Sequence, residues 1–210
     1  LPSFSAYSQN FYLGFSNALA FQWKGFLETN RYTYVLSLNQ SEEELWSGLR
    51  ENNRKQIKKA EKEIQISATN DAVLLKEILQ QSVENKIETA YFERMIAFVE
   101  KYKCGTILKA TKNDQTHAVL LCVADEQSAY YLLGGNATEH KNSGAMSVLP
   151  WKAMLYFKEK GIPHFNFEGS SIESVEKYFR GFGGDLISFK RIEKLNSKSL
   201  EVAKKLKGDG

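Results

Sequence analysis

The sequence predicts a layered α/β domain of the α+β kind, a mostly antiparallel mixed sheet flanked by helices. Two observations carry this. Segments with helical periodicity alternate with short β-branched or aromatic runs along most of the chain. Three of those runs, TILKATKN, HAVLLCVADE and SAYYLLGGN, follow one another across brief turn signals, the pattern of an antiparallel meander.

Taken in order, FQWKGF and RYTYVLSL alternate and predict two strand segments within residues 21–38. Ser41 and Glu44 have the spacing of a capping box and open a long helix through SEEELWSGLRENNRKQIKKAEKEI, with Trp46, Leu49, Ile57, Ala60 and Ile64 on its buried face. Its other face carries Arg50, Arg54, Lys58 and Lys62 at four-residue intervals, with Lys55 and Lys59 beside them, which predicts a basic ridge. IQISAT follows as a strand, then two helices, DAVLLKEILQQSVEN and TAYFERMIAFVEKYK. The second has Phe92, Met95, Ile96, Val99 and Tyr102 on one apolar face.

After the meander, the loop ATEHKNSG leads into AMSVLPWKAMLYFKEKG. Gly161 is a helix stop there, and Pro150 predicts a late start or a kink. HFNFEG is the next strand. A short helix runs between Gly169 and Gly181, with Ser170 and Glu173 as a second capping box, and LISFKRIEK is the last strand. The boundaries expected are strands and a basic helix over 1–65, the main domain over 66–195 and a basic tail over 196–210.

Composition excludes several classes. Of 210 residues, 42% are hydrophobic and 25% charged, and no apolar run is long enough to span a bilayer. The start LPSFSAYSQNFY lacks the basic and apolar regions of a signal peptide, so the cytoplasm is the expected compartment. Cys104 and Cys122 are too few for a disulfide framework and read as free thiols, and His117, His140 and His164 have no metal-ligand spacing. A net charge of +3 is too mild to argue for nucleic acid by itself.

Several stretches resemble the GNAT acyltransferases and, among them, the Fem-type peptidoglycan aminoacyltransferases. NNRKQIKKAEK is similar to that family's Arg-x-x-Ile-x-x-Ala helix. YYLLGGN with SVLPWKAMLYFKEKGIPHFNFEG is similar to its strand, long helix and Phe-Asp-Phe-x-Gly strand, and FRGFGG to its Phe-Lys-x-Gly-Phe-Gly-Gly. The match covers most of residues 31–193, with Arg180 where the family has Lys and Asn166 where it has Asp. Fem-type enzymes pair two such domains, so the resemblance implies a second domain with the end of a first before it, and Leu1 need not be the natural start.

The resemblance implies direct transfer of an acyl or aminoacyl group to an amine in a ternary complex. No nucleophile elbow is present, and neither cysteine has a histidine beside it in sequence. Lys141, Gly144 and Met146 occupy the three places of the phosphate-wrapping Gln/Arg-x-x-Gly-x-Gly/Ala signature. Lys141, Ser143, Gly144 and Ala145 are therefore the expected donor contacts at a helix start. Phe179 and Arg180 would line the acceptor side, with Arg180 stabilising the oxyanion or gripping a carboxylate or phosphate. Tyr178 stands close to where such enzymes place a leaving-group acid, and Glu168, at a strand end, is the expected base.

Arg50, Arg54 and Lys58 are the candidate phosphate contacts, an exposed helix face being the alternative. The donor implied is acyl-CoA or aminoacyl-tRNA, with no metal. The acceptor bears an amine, a cell-wall precursor being one candidate, and tRNA is a candidate partner. Two alternatives stand beside this: a non-catalytic binding module on the same fold, and a CoA-dependent N-acetyltransferase unrelated to the cell wall.

Overall fold

The computed structural model describes residues 3–82, 89–169 and 172–197. Along the chain these form β1 (Ala6–Asn10), α1 (Leu19–Gln22), β2 (Leu27–Ser37), α2 (Glu42–Gly48), α3 (Glu51–Ala60), β3 (Gln65–Thr69), α4 (Ala72–Ser82) and α5 (Thr89–Tyr102). There follow β4 (Gly105–Lys112), β5 (Gln115–Ala124), β6 (Ala129–Asn136), a 3-10 turn (Thr138–His140), α6 (Ala145–Glu159), β7 (His164–Asn166), α7 (Glu173–Arg180) and β8 (Asp185–Leu195). The chain divides into two compact units, residues 1–33 with 186–210, and residues 34–185. Within the larger unit α3 packs with α6, and β3 pairs with β4.

In the smaller unit β1 pairs antiparallel with β8, from Ala6 opposite Leu195 to Asn10 opposite Arg191. Ala18, Phe26 and Ile192 are its buried centre, with Phe4, Tyr7, Phe11, Phe15 and Phe21 packed around them. The strand expected at FQWKGF is instead α1 and a turn. Phe26 N–H bonds the Phe21 carbonyl and Gly25 N–H the Gln22 carbonyl, with Gly25 at φ 76°. That is a Schellman ending, and its glycine signal outweighs the aromatic alternation.

In the larger unit the strand order is β2-β7-β6-β5-β4-β3, antiparallel except for the β6–β7 pair. The meander forms as predicted. Asn113 and Asp114 both take positive φ at the β4–β5 turn, as a two-residue hairpin of type I′ requires. β5 is covered on both faces, which is why HAVLLCVA reads as a continuous apolar run rather than an alternating one. Ala118, Leu120 and Cys122 join the core with α2, α3, α6 and α7, whereas Val119 and Leu121 pack with α4 and α5. Cys104 and Cys122 are free thiols, and burial pushes the Cys122 thiol up.

The long helix expected from Ser41 is two helices. The Ser41–Glu44 capping box is present, but Leu49 and Arg50 are extended (ψ 143° and 147°) and break the run between α2 and α3. On α5, Phe92, Ile96 and Val99 are buried as expected, whereas Tyr102 is 57% exposed. α6 starts at Ala145 and carries Pro150 within it, ending at Gly161 in the same Schellman geometry. α7 starts at Glu173 with Ile172 as N-cap and no side-chain cap, and Ser170 of the expected box lies outside the described residues. Residues 198–210 of the expected basic tail also lie outside them.

Candidate functional site

β6 and β7 run parallel but stay together for only two residue pairs, Ala129 with Phe165 and Tyr130 with Asn166. β7 ends there while β6 continues to Asn136, paired from that point with β5 alone. The free edge of β6 carries Gly134, Gly135 and Asn136. Opposite it stand the turn Lys141–Gly144, the first residues of α6, and Gln56 and Lys59 of α3, and together these walls enclose a cavity of ≈ 710 Å³.

Local hydrogen bonds set this turn. Ser143 N–H bonds the His140 carbonyl (3.0 Å), Ala145 N–H bonds Ser143 Oγ (3.3 Å), and Ser147 Oγ donates to Gln56 Oε1 (2.7 Å), tying the head of α6 to α3. Gly144 is the N-cap at φ 80° and has no side chain to offer the helix; Ser143 Oγ takes the Ala145 N–H instead, and the Gly144 carbonyl accepts the Ser147 and Val148 N–H groups at 2.9 and 3.3 Å. With Lys59 and Lys141 in the lining, the site is built to receive an anion.

Of the expected donor contacts, Lys141, Ser143 and Gly144 line the cavity, while Ala145 is fully buried beneath it. Met146, the third place of the phosphate-wrapping signature, lines it too, whereas Gln56, Lys59, the Gly134–Asn136 edge, Asn142 and Ser147 were not foreseen as lining. The GGN triplet at the end of a strand was the legible signal, since two glycines leave an edge that a ligand can approach.

Of Arg50, Arg54, Lys58 and Lys62, only Arg54 and Lys58 lie within α3. Arg50 precedes α3 as its N-cap, and Lys62 follows the helix end. Arg54 turns its guanidinium onto the end of α2, donating to the Ser47 carbonyl at 2.8 Å and to the Leu49 carbonyl. That satisfies carbonyls which the chain break leaves without helical partners. Lys58 Nζ lies 5.6 Å from the centre of the Trp46 ring, and Lys55 pairs with Glu51. Lys59 alone of this helix's cations reaches the cavity lining.

At the other side of the parting strands, Phe179 is a core residue, in ring contact with Tyr131, Phe167 and Tyr178. Arg180 Nη2 pairs with Glu176 Oε2 at 3.2 Å, and Glu176 Oε1 accepts the Tyr34 hydroxyl at 2.6 Å. The Arg180 Nε–H is buried and meets no acceptor among the described residues. Glu168 sits two residues past the last β7 pair at φ 58°, its N–H bonded to Asn166 Oδ1. Its total area is exposed, yet desolvation of its carboxyl raises its pKa above the ordinary carboxylate value. Tyr178 lines the cavity and donates its hydroxyl to the Met146 carbonyl at 2.5 Å; burial, then Tyr131, holds its pKa well above the usual phenol value.

His117 and His140, separate in sequence, stack face to face with ring centres 3.8 Å apart just ahead of the Lys141 turn. Burial, then His140 and Lys112, lowers the pKa of His117. Among the described residues no group of three or more His, Cys, Asp or Glu side chains is placed to hold a metal ion.

A mostly antiparallel sheet whose β6–β7 parallel pair parts beside the head of α6 is the frame of the GNAT fold. Residues 47–180 match the family described as acetyltransferase (GNAT) domain, and the chain belongs to that family. A search of curated protein sequences finds no match. Among solved structures the chain is similar to FemX (TM-score 0.72, 12% identity, 95% of this chain and 68% of that one). It is also similar to L-PGS from Bacillus licheniformis (0.59, 11%, 88% and 67%). A third is the C-terminal domain of a putative lysylphosphatidylglycerol synthetase from Agrobacterium fabrum (0.60, 10%, 87% and 65%). At these identities the likeness is one of fold, and the chain spans about two thirds of the length of each. No helix among the described residues is long and apolar enough to cross a membrane.

Proposed function

We propose that this protein is an N-acyltransferase that moves an acyl group directly from a phosphate-bearing donor to an amine, with acyl-CoA as the donor. The observation that carries the reading is the cavity between the free edge of β6 and the head of α6. It has the volume of a small-molecule site, two lysines and a helix start in its walls, and glycines where a donor's arm would lie along the strand. The dispersal of the expected ridge supports a small donor over aminoacyl-tRNA. Arg54 is committed to carbonyls and Arg50 stands off the helix, so α3 offers no continuous row for a nucleic-acid backbone.

The amine nitrogen attacks the donor carbonyl beside the parting strands, the tetrahedral intermediate collapses with cleavage of the carbonyl carbon–sulfur bond, and CoA departs as a thiolate that takes its proton from solvent. Glu168 takes the amine's proton, and the raised pKa makes this carboxylate a stronger base than one in water. The buried, unpartnered Arg180 Nε–H is the group available to the oxyanion. No covalent enzyme intermediate is needed, since holding both substrates supplies most of the acceleration. The cell-wall precursors implied by the Fem-type resemblance are one class of amine acceptor to try.

Calorimetric titration with acetyl-CoA, and separately with aminoacyl-tRNA, tests this. Saturable acetyl-CoA binding that weakens in Lys141→Ala is the expected result. Binding of charged tRNA with none of acetyl-CoA overturns the donor assignment, and binding of neither favours a non-catalytic module on the same fold.

A further inference from the structure

Within an α-helix the carbonyl of residue i receives the N–H of residue i+4. For Met146 that residue is Pro150, which has no N–H and whose ring crowds the carbonyl four positions back. α6 nevertheless runs unbroken from Ala145 to Glu159, and Pro150 is buried together with Val148, Leu149 and Trp151. The Met146 carbonyl is therefore left without its helical donor inside a packed element, where an unmet acceptor is costly. The Tyr178 hydroxyl of α7 supplies the bond at 2.5 Å.

A phenol has one hydrogen to donate and lone pairs with which to accept. With the hydrogen on the Met146 carbonyl, what Tyr178 presents to the cavity is acceptor capacity alone. The surroundings hold this arrangement. Tyr178 packs on Phe179 and Phe182, with ring centres 5.5 and 5.3 Å apart. Gly134 leaves the space filled by the Tyr131 hydroxyl and the Met146 side chain, for a Cβ there would stand 2.2 Å from the one and 3.1 Å from the other. A leaving-group acid needs its proton aimed at the departing atom. Here the proton is aimed at the backbone.

We infer that Pro150, by withholding the N–H that the Met146 carbonyl would otherwise receive, fixes Tyr178 as a hydrogen-bond acceptor towards the donor cavity, a positioning residue rather than the acid for the leaving group. The group it receives is an N–H of the donor, as in the amides along the arm of an acyl-CoA. The substrate half of this inference rests on the acyl-transfer reading above, and the Pro150–Met146–Tyr178 linkage does not.

Two measurements separate them. The linkage is tested without substrate by urea unfolding of Tyr178→Phe, Pro150→Ala and the double variant. Removing the hydroxyl should lower the midpoint in the parent chain and lower it less in Pro150→Ala, where the helix's own N–H takes over the carbonyl; equal losses in both backgrounds overturn the linkage. The role is tested by kinetics and calorimetry with acetyl-CoA. Tyr178→Phe should weaken donor affinity and raise donor KM about tenfold, with kcat changed by less than about threefold and the alkaline limb of the pH profile in place. A fall in kcat of about a hundredfold or more at unchanged KM, with loss of that limb, makes Tyr178 the acid and overturns the assignment. Should Tyr178→Phe not fold, Pro150→Ala alone decides it, since freeing the hydroxyl proton should shift donor KM in the same direction. If the parent chain binds no acetyl-CoA, the functional reading fails while the urea cycle still decides the linkage.

Discussion

Two glycine-marked helix ends in the larger unit make room for different neighbours, a side chain at one and a main chain at the other. At the head of α6, Gly144 takes φ 80°, and a Cβ there would stand 3.0 Å from Ala60 Cβ and 3.7 Å from the Gln56 carbonyl oxygen of α3. At the tail of α7, Gly183 takes φ 84° and a Cβ would stand 2.2 Å from the Gly48 carbonyl oxygen, while one on Gly184 would stand 2.8 Å from Leu36 Cδ1. Arg50 N–H bonds the Gly181 carbonyl across the same contact. The first glycine lets the head of α6 close on α3 beside the cavity, and the second lets the tail of α7 close on the backbone of α2. The helix Glu173–Arg180 is thus held by being pressed onto α2, α3 and β2, and it places Tyr178 in the cavity lining.

The contrast breaks most visibly at Gly183. Replacing it with alanine adds the cost of a left-handed L-residue, about 1–2 kcal/mol, to an overpacking cost of about 1–3 kcal/mol against rigid backbone. A large drop in the urea midpoint is expected, and a change below about 1 kcal/mol would show that α7 is not clamped there. Arg180→Ala should lower turnover by about a hundredfold, the scale for loss of one oxyanion donor. Its stability loss should stay within about 1 kcal/mol, because the Glu176 pair is partly solvated. Unchanged turnover would remove Arg180 from the chemistry. Gly144→Ala should cost about 1–2 kcal/mol for the left-handed residue and weaken acetyl-CoA binding severalfold. Full stability with normal binding would mean that this turn is not what shapes the cavity.

Much of this architecture was legible. The meander, α4, the buried stripe of α5 and the stop at Gly161 each follow from a local signal that tertiary packing reinforces. The misreadings have physical causes. Helical periodicity from Trp46 to Ile64 survives a two-residue break, because Leu49 in the break and Ile57 in α3 still reach the same core. Periodicity therefore could not reveal the kink that takes Arg54 out of the ridge. At Gly25 an aromatic run hid a helix ending. In the site, Lys141, Ser143 and Gly144 were foreseeable from one loop, whereas Lys59, Gln56 and the Tyr178–Met146 bond depend on how separate elements meet. The pairing of His117 with His140 is likewise a product of topology, since the two are 23 positions apart in the chain.

That histidine pair gives the smallest expected effect and the sharpest contrast between the two sides of the site. His117 is 6% exposed, its Nδ1 is buried without a partner among the described residues, and burial holds its folded pKa below the ordinary value. The charges acting on it are His140, from the turn before Lys141, and Lys112, from the end of β4. From α4 the neutral Gln81 meets this turn, accepting the Thr138 N–H. A depressed folded pKa means that the unfolded chain binds the proton first. The stability due to His117 is present above the ordinary histidine pKa and is lost as pH falls through the lower folded value. Glu168 runs the other way. Its raised folded pKa gives stability that is present below the ordinary carboxylate pKa and lost as pH rises through the folded value. Acid should therefore act first around the turn before Lys141, and rising pH first around Glu168. Urea midpoints measured from pH 4 to 8 for His117→Phe and Glu168→Gln read this directly. His117→Phe should flatten the loss on the acid side and Glu168→Gln the decline above the carboxylate range, and a parallel shift of either curve at every pH would show that its group does not titrate differently in the folded chain.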